Sequence, residues 1–482
     1  MTLLSILFPM ALGLALLLSR TENRRARERW VIGTSAVTAL LAFLAVGLTY
    51  AEPFTLLRFT DRLQLVLRAD GLGSIFAVMV SVLWVIASFY SLEYMKHEGA
   101  ETRFFGFFLM SFGVTLGVAF AGNLLTMYLF YELLTLVTLP LVMHAMTGRA
   151  RYAGKSYIIY SMTGAALGFV TMIFAMYYGG GDFLMGGSIQ AEAVQGGRNV
   201  LLGFYVVGFF GFGVKAAIFP FHGWLLDASV APTPVTALLH AVAVVKSGVF
   251  AVMRLTYFVF GAELLFGTWA QALVLGFAAF TIAYASVRAL RTPHFKRRLA
   301  YSTVANLSYI LVGVAAMSPA GLVAAVAHML FHAVAKICLF FTCGGVYYRT
   351  GKEYVYELEG FGQVMPVTMG AFTLTALSLM GLPPLCGFTG KWLLGTALME
   401  TGLPIGWIGA GALVFSAFFS CMYLLGILLI AYVPRAKFAH THQENMDPNW
   451  LMKGPFAALC LGCVALSLWA NPLIQLIERL LY

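Results

Sequence analysis

FFGFGVKAAIFPFHGWLLDASVAPTPVTALLHAVAVVKSGVFAVMR, residues 209–254, decides how the rest of the chain is read. It reads as two hydrophobic helices, one broken around Pro220 and one started by Pro232 and Pro234, with Lys215 and Lys246 deep inside the apolar runs. A charged side chain at bilayer depth costs at least ~2.5–3.5 kcal/mol on insertion scales, so it faces a partner or a wet cavity. Broken helices are tolerated within a membrane only where the freed backbone groups are buried in protein or meet water, and transporters place their sites at such breaks. Two lysines flanking a break therefore read as an ion path.

The composition agrees. Of 482 residues, 61% are hydrophobic and 10% charged, which makes the chain a polytopic membrane protein and one transmembrane domain. The net charge of +10 does not call for nucleic acid, because the basic residues fall in short loops between spans. The start, MTLLSILFPMALGLALLLSR, has no basic residue ahead of its apolar run and is expected to be a first span, not a cleaved signal. The six cysteines are scattered, and the one CxxC pair, Cys460 and Cys463, sits in an apolar run as a packing element. There is no Walker loop, dinucleotide fingerprint or iron–sulfur cysteine set, so any electron transfer is expected outside this chain.

Apolar runs of bilayer length predict an all-α protein with about fourteen spans, at 2–19, 31–50, 71–95, 104–121, 123–146, 156–178, 199–221, 234–258, 267–288, 299–316, 320–346, 364–390, 403–432 and 453–476. With the amino terminus outside, the basic residues between 20 and 29, Lys96, Arg103, Arg149, Arg151, Lys155, those between 288 and 298, Arg349, Lys352, Arg435, Lys437 and Lys453 fall on the cytoplasmic side. Arg58, Arg62, Arg68 and Arg198 stay outside. The segment 51–70 is expected to form an outer hairpin or a short interfacial helix, and 179–198 a glycine-rich outer loop. TPHFKRR, residues 292–298, reads as a basic turn facing lipid headgroups, and the polar loops 349–359 and 443–453 as solvated segments or contacts for a peripheral partner.

Few ionisable residues remain at depth. Glu132, in NLLTMYLFYELLTLVTLPLVM, is about nine residues into its span, roughly 14 Å at helical rise. If a lysine approaches it, both groups can stay charged and their coupling depends on where a proton sits; a static ion pair that fixes packing is the competing reading. AAVAHMLFHAVAKICLFF puts His328, His332 and Lys336 at i, i+4 and i+8, on one helical face. Histidine exchanges protons near neutral pH and a desolvated lysine can also release one, so the row spans a relay of ~12 Å. SLMGLPPLCGFTGKWLLG is a second Pro/Gly-broken helix, with Lys391 just past the break. Its WLL at Trp392 matches the WLL at Trp224, and HAVAVVK at 240–246 matches HAVAK at 332–336, hints of an internal repeat. His222, Asp227 and His240 lie around the first break, where they either satisfy freed backbone or connect a cytoplasmic mouth to Lys246.

These residues resemble the antiporter-like proton-translocating subunits shared by respiratory complex I, membrane-bound hydrogenases and Mrp-type cation/proton antiporters. The motifs that carry the resemblance are YELL at 131–134, the block 213–250, KRRLAYSTVANLSYI at 296–310, HxxxHxxxK at 328–336 and GLPPLCGFTGK ending at Lys391. It implies two inverted five-helix half-channel repeats, at about 104–258 and 267–432. In it, Glu132 and Lys215 match the glutamate–lysine pair of the first half, Lys246 the bridging lysine, and His328, His332, Lys336 and Lys391 the second half and its exit. It further implies a hydrated midplane axis for H+, or in some members Na+, with no cofactor in this chain. Its partners would be other hydrophobic membrane subunits, antiporter-like paralogues among them, and a peripheral redox arm carrying iron–sulfur, flavin or nickel–iron centres, in a prokaryotic inner membrane. The chain ends soon after the last span, and Lys391 stands where another complex I subunit type carries glutamate, so the shorter subunit types are the expected match.

Overall fold

The apolar runs form helices, and their starts follow local chemistry. The computed structural model describes residues 1–19, 23–60, 63–433 and 445–482, so Arg20, Arg62, Arg435, Lys437 and the start of the loop 443–453 lie outside the described residues. The first half contains α1 (Thr2–Ser19), α2 (Arg24–Leu48), the strands β1 (Phe54–Arg58) and β2 (Gln64–Leu67), α3 (Gly71–Glu98), α4 (Glu101–Ala119), α5 (Leu124–Val142) and α6 (Gly148–Tyr177). The centre contains α7 (Gly197–Gly213), α8 (Gly223–Asp227), α9 (Thr233–Ala241), α10 (Val244–Met253) and α11 (Ala262–Leu265). There follow α12 (Trp269–Arg291), α13 (Phe295–Ala315), α14 (Pro319–Thr350), α15 (Phe361–Val364), α16 (Pro366–Met380), α17 (Cys386–Glu400), α18 (Pro404–Tyr432), α19 (Trp450–Leu468) and α20 (Ala470–Leu481). Asp70, Asn123, Thr147, Thr268 and Ser318 each accept a backbone N–H from the turn they open.

Among the described residues, ten single helices and the interrupted stretch Thr233–Phe260 are long and apolar enough to cross a membrane, eleven candidate spans in all, and the chain is a multi-pass membrane protein. The other three expected spans fall on α7, on α13, and on the split pair α16 and α17. The segment 51–70 is an antiparallel hairpin, Phe54 opposite Leu67. It is tied to the start of α5 by Asn123, which donates to the Gln64 carbonyl, and by Val66, whose N–H reaches Thr126 Oγ1 at 2.8 Å.

Burial sorts the helices. The stretch 233–260 is buried throughout and α14 nearly so, whereas α1, α18 and α19 leave most of their surface outward, with Leu14, Phe418 and Leu461 exposed. A helix apolar all round is a buried one or a lipid-facing one, and here both kinds occur. Small residues let the outer helices close on the centre. A Cβ at Gly13 of α1 would come within 2.6 Å of the Gly106 carbonyl of α4, and one at Gly113 within 2.3 Å of the Ile6 carbonyl.

Three interruptions shape the interior. Between α7 and α8, the 214–222 segment carries Ala217 at φ 55° and Pro220. Its freed groups find side chains: Trp224 Nε1 donates to the Val214 carbonyl at 2.9 Å, and the Phe219 N–H reaches Thr281 Oγ1 at 3.1 Å. Between α16 and α17, Gly381 turns at φ 89° and Lys391 Nζ donates to the Met380 carbonyl at 2.8 Å. The third lies at Val242–Ala243, between α9 and α10, where no proline or glycine marks it. Beyond Met253 the α10 helix continues as a π-helical stretch, Arg254–Phe260. The glycine-rich loop caps that end: N–H groups of Leu184, Gly186 and Ser188 donate to the carbonyls of Phe258, Tyr257 and Val259.

The repeat hint in the paired WLL segments does not extend to burial. Trp224 is fully buried in its break, while Trp392 is 62% exposed.

Helix α10 is pressed onto the Lys215 backbone. A Cβ at Gly248 would lie 2.4 Å from Ala216 N and 2.7 Å from the Lys215 carbonyl carbon. Gly248→Ala is therefore expected to cost about 1–3 kcal/mol, as overpacking does, read as a lower thermal midpoint of the purified protein in detergent. Gly33→Ala, where a Cβ meets nothing within 4 Å, is the matched control. Equal midpoints for the two variants would contradict the close approach.

Candidate functional site

The ionisable residues picked from the sequence gather in the buried centre, on five elements. Glu132 sits mid-way along α5, a run with Pro140 inside it and Asn123 as its cap. Lys215 follows the last turn of α7, at the start of the first interruption. Its Nζ is 3.5 Å from Glu132 Oε1, donates to the Tyr131 carbonyl, and lies 3.4 Å from the centre of the Tyr131 ring. The lysine side chain is 1% exposed and that of the glutamate 21%. Of the two lysines that could have met Glu132, it is Lys215 that does.

Lys246 is on the first turn of α10, just past the unmarked interruption, and its Nζ is 2.6 Å from His332 Nδ1 on α14. The i, i+4 spacing on α14 stacks His328 and His332, ring centres 6.2 Å apart. His328 Nε2 is 3.3 Å from Asn306 Oδ1 on α13. Its other nitrogen, His332 Nε2 and Lys336 Nζ are buried with no hydrogen-bond partner among the described residues, and Lys336 points towards the Phe340 ring at 6.0 Å. Buried polar groups are otherwise paired with protein or ordered water, so this face of α14 is a place where water or a moving proton has acceptors and donors to use.

Lys391 closes the row from α17. Its Nζ lies 5.6 Å from the Tyr309 ring, which in turn is 5.4 Å from the His328 ring. At Gly390 the α17 backbone comes so close that a Cβ would be 2.8 Å from His328 Nδ1.

The residues around the first break go to three different places. His240, at the end of α9, packs against Phe340 at 4.8 Å with both ring nitrogens unpartnered, and it makes no hydrogen bond to Lys246. His222 stacks on Phe219 and meets Tyr284 edge-on. Asp227 accepts a hydrogen bond from Ser156 at 2.8 Å and lines a polar cavity of ≈ 840 Å³ together with Glu98, Thr233, Lys296, Arg297 and Glu353. Lys296 reaches inward there to the Ala231 carbonyl at 2.8 Å. At the rim, burial pushes the His294 imidazole below its ordinary value, outweighing the raising effect of the Glu353 carboxylate. Among the described residues, no group of three or more His, Cys, Asp or Glu side chains is arranged to hold a metal ion. Cys463 of the CxxC pair faces Cys386, sulfurs 3.8 Å apart.

The family described as "NADH:quinone oxidoreductase/Mrp antiporter, TM" matches residues 121–420, most of the chain. The chain belongs to this family of antiporter-like membrane subunits. Residues 60–105 also match the family described as "NADH-Ubiquinone oxidoreductase (complex I), chain 5 N-terminus". Among curated relatives, NADH-quinone oxidoreductase subunit N of Desulforudis audaxviator is 33% identical over 423 residues, 84% of this chain and 82% of that protein. An Na(+)/H(+) antiporter subunit of Alkalihalophilus pseudofirmus is 32% identical over 349 residues, 69% of this chain, which spans only 42% of that longer protein. Among solved structures, a chain of the archaeal membrane-bound sulfane sulfur reductase superimposes with TM-score 0.85 at 20% identity, over 99% of this chain and 96% of that one. A chain of respiratory complex I from Thermus thermophilus superimposes with TM-score 0.83, also at 20% identity, over 100% and 98%. At such identities these two likenesses speak for the fold alone.

This antiporter-like subunit holds a further buried charge that the sequence reading passed over. Arg254 is fully buried, and its two terminal nitrogens donate to Asp70 at 2.7 and 2.6 Å. The signal was present: Arg254 stands eight residues after Lys246 inside the same apolar run. Tyr131, whose carbonyl and ring both receive Lys215, carries no comparable sequence signal.

Proposed function

We propose that this subunit moves protons along the membrane midplane, within a complex I-related, redox-driven assembly. The observation that carries the reading is the row of buried ionisable side chains from the Glu132–Lys215 pair through Lys246, His332 and His328, with Lys336 beside it, to Lys391. Two unit charges ~4 Å apart at an effective dielectric near 20 interact by about 4 kcal/mol, enough to shift a population roughly a thousandfold. A proton arriving at Lys215 or Glu132 changes that pairing. Through the low-dielectric interior the altered field acts on Lys246 and then on the α14 face. Glu132 and Lys215 are the first half-unit, within about 104–258, and His328, His332, Lys336 and Lys391 the second, within about 267–432. His222, Asp227 and His240 serve as the connection from the polar cavity, which we take as the cytoplasmic mouth.

On this reading the chain sits in a prokaryotic inner membrane with its amino terminus outside, next to other hydrophobic subunits and antiporter-like paralogues. The redox centres, iron–sulfur, flavin or nickel–iron, belong to a peripheral arm. A second reading, as part of an Mrp-type Na+/H+ antiporter, is favoured by the antiporter relatives at 29–32% identity. The two separate in one experiment. The tagged chain is purified gently from native membranes, its partners are identified by mass spectrometry, and iron, nickel and flavin are assayed. Redox subunits with their metals are the expected result; small hydrophobic partners without redox metal would replace the first reading by the second.

A further inference from the structure

Helix α10 is fixed at three points along its length, and only two of them belong to the ion row. Lys246 meets His332 at its start, and Gly248 seats on the Lys215 backbone two residues later. At the far end Arg254, ~12 Å beyond Lys246 at helical rise, forks onto Asp70. The guanidinium is also boxed by the rings of Phe183, Phe250 and Phe258 at 4.7, 5.0 and 4.6 Å. Asp70 is itself immobilised. It caps α3, its Oδ1 accepting the Gly73 N–H at 2.9 Å, and Arg68 stands 3.6 Å from its other oxygen while donating to the Phe183 carbonyl.

A largely buried ion pair is a poor way to gain stability, since apolar residues of the same volume often serve as well or better. What the bidentate fork adds is geometry: two parallel hydrogen bonds fix both the rotation and the axial setting of the side chain's helix. Arg254 also opens the π-helical stretch, so the pin lies where the helix changes its register. Neither residue touches the ion row.

We infer that Asp70 and Arg254 are positioning residues that set the rotation and height of α10, so that Lys246 reaches His332 while Gly248 rests on Lys215. This rests on the proton-translocation reading above. The clamp acts on ion movement only through the place of Lys246.

The test uses the assembled complex in native membrane vesicles. The double variant Asp70→Asn/Arg254→Met removes both members of the pair; Arg68 is partly exposed and keeps the Phe183 carbonyl, and asparagine keeps the cap on Gly73, so folding is expected to survive. Ion flux per assembled complex is expected to fall about tenfold, the scale of a small misplacement of a reacting group. Arg254→Lys, which keeps a cation beside Asp70, is expected to recover a substantial part of it. In parallel, Lys246→Cys and His332→Cys are introduced together, and the rate at which a short bifunctional thiol-reactive cross-linker joins them is followed by mass spectrometry, a direct disulfide being out of reach once the long lysine side chain is removed. That rate is expected to drop severalfold when the clamp variant is added. Unchanged flux, an unchanged linking rate, or loss of the assembled complex in the double variant and in Arg254→Lys alike would each overturn the inference, the last by making the pair merely structural. The linking assay reads the setting of α10 without any flux. A normal flux in Lys215→Ala would therefore sink the translocation reading while leaving the geometry of the clamp separately decided.

Discussion

Lys215→Ala is expected to leave the amount of assembled complex close to wild type and to cut coupled ion movement at least about tenfold, on the scale of removing one positioned proton-transfer group. The amine is 1% exposed and engages the Tyr131 carbonyl, the Tyr131 ring and Glu132 Oε1 at once. Its loss removes the charge that Glu132 answers to. The Glu132 side chain is 21% exposed, so the variant does not leave a fully buried charge without a partner. Lys215→Arg is expected to recover little, because the planar fork cannot occupy the place of a compact ammonium that stacks over one ring. Flux is measured in vesicles and divided by the assembled complex seen on native gels. Full flux from normally assembled Lys215→Ala complex would leave the buried charges as a static scaffold.

The second large effect is a trade. Lys336→Met is expected to raise the thermal stability of the protein while lowering ion movement by about tenfold. Lys336 Nζ is buried, has no hydrogen-bond partner among the described residues, and lies 6.0 Å from the centre of the Phe340 ring it faces. A buried ammonium without a partner is costly, and an unbranched apolar chain of similar length fills the same space without that cost. A stabilising substitution that destroys activity is the signature of a functional strain, whereas a structural lysine would lose stability on removal. Thermal melting and vesicle flux on the same preparation decide it. A less stable variant with unchanged flux would place Lys336 in the packing and out of the relay.

The sequence carries the helices because a bilayer demands long apolar runs, and each run leaves a charge conspicuous. That is why Glu132, Lys215 and the i, i+4 row on α14 could be named from spacing alone. Partners across helices were not legible in the same way. Lys246 and His332 are 86 residues apart, and nothing local says they meet. His240 was read either as satisfying freed backbone or as a connection to Lys246; it stands at the end of α9, before the interruption at Val242–Ala243, with its imidazole 4.8 Å from the Phe340 ring. That interruption is invisible in AVAVVK because no proline or glycine forms it. Arg254 was legible inside the expected span 234–258 and was missed, and its carboxylate partner, Asp70, lies at the start of another helix.

That unmarked interruption differs in kind from the other two. Proline has no N–H to give and its ring crowds the preceding turn, so closing the gaps that hold Pro220 and Pro383–Pro384 would cost about 3 kcal/mol or more at each. Across Val242–Ala243 every residue keeps its donor, and the N–H groups of both Val242 and Ala243 crowd onto the one carbonyl of Leu238. Nothing covalent holds this gap open. Of the three, it is the one whose annealing and reopening the backbone permits, and it adjoins the turn that carries Lys246.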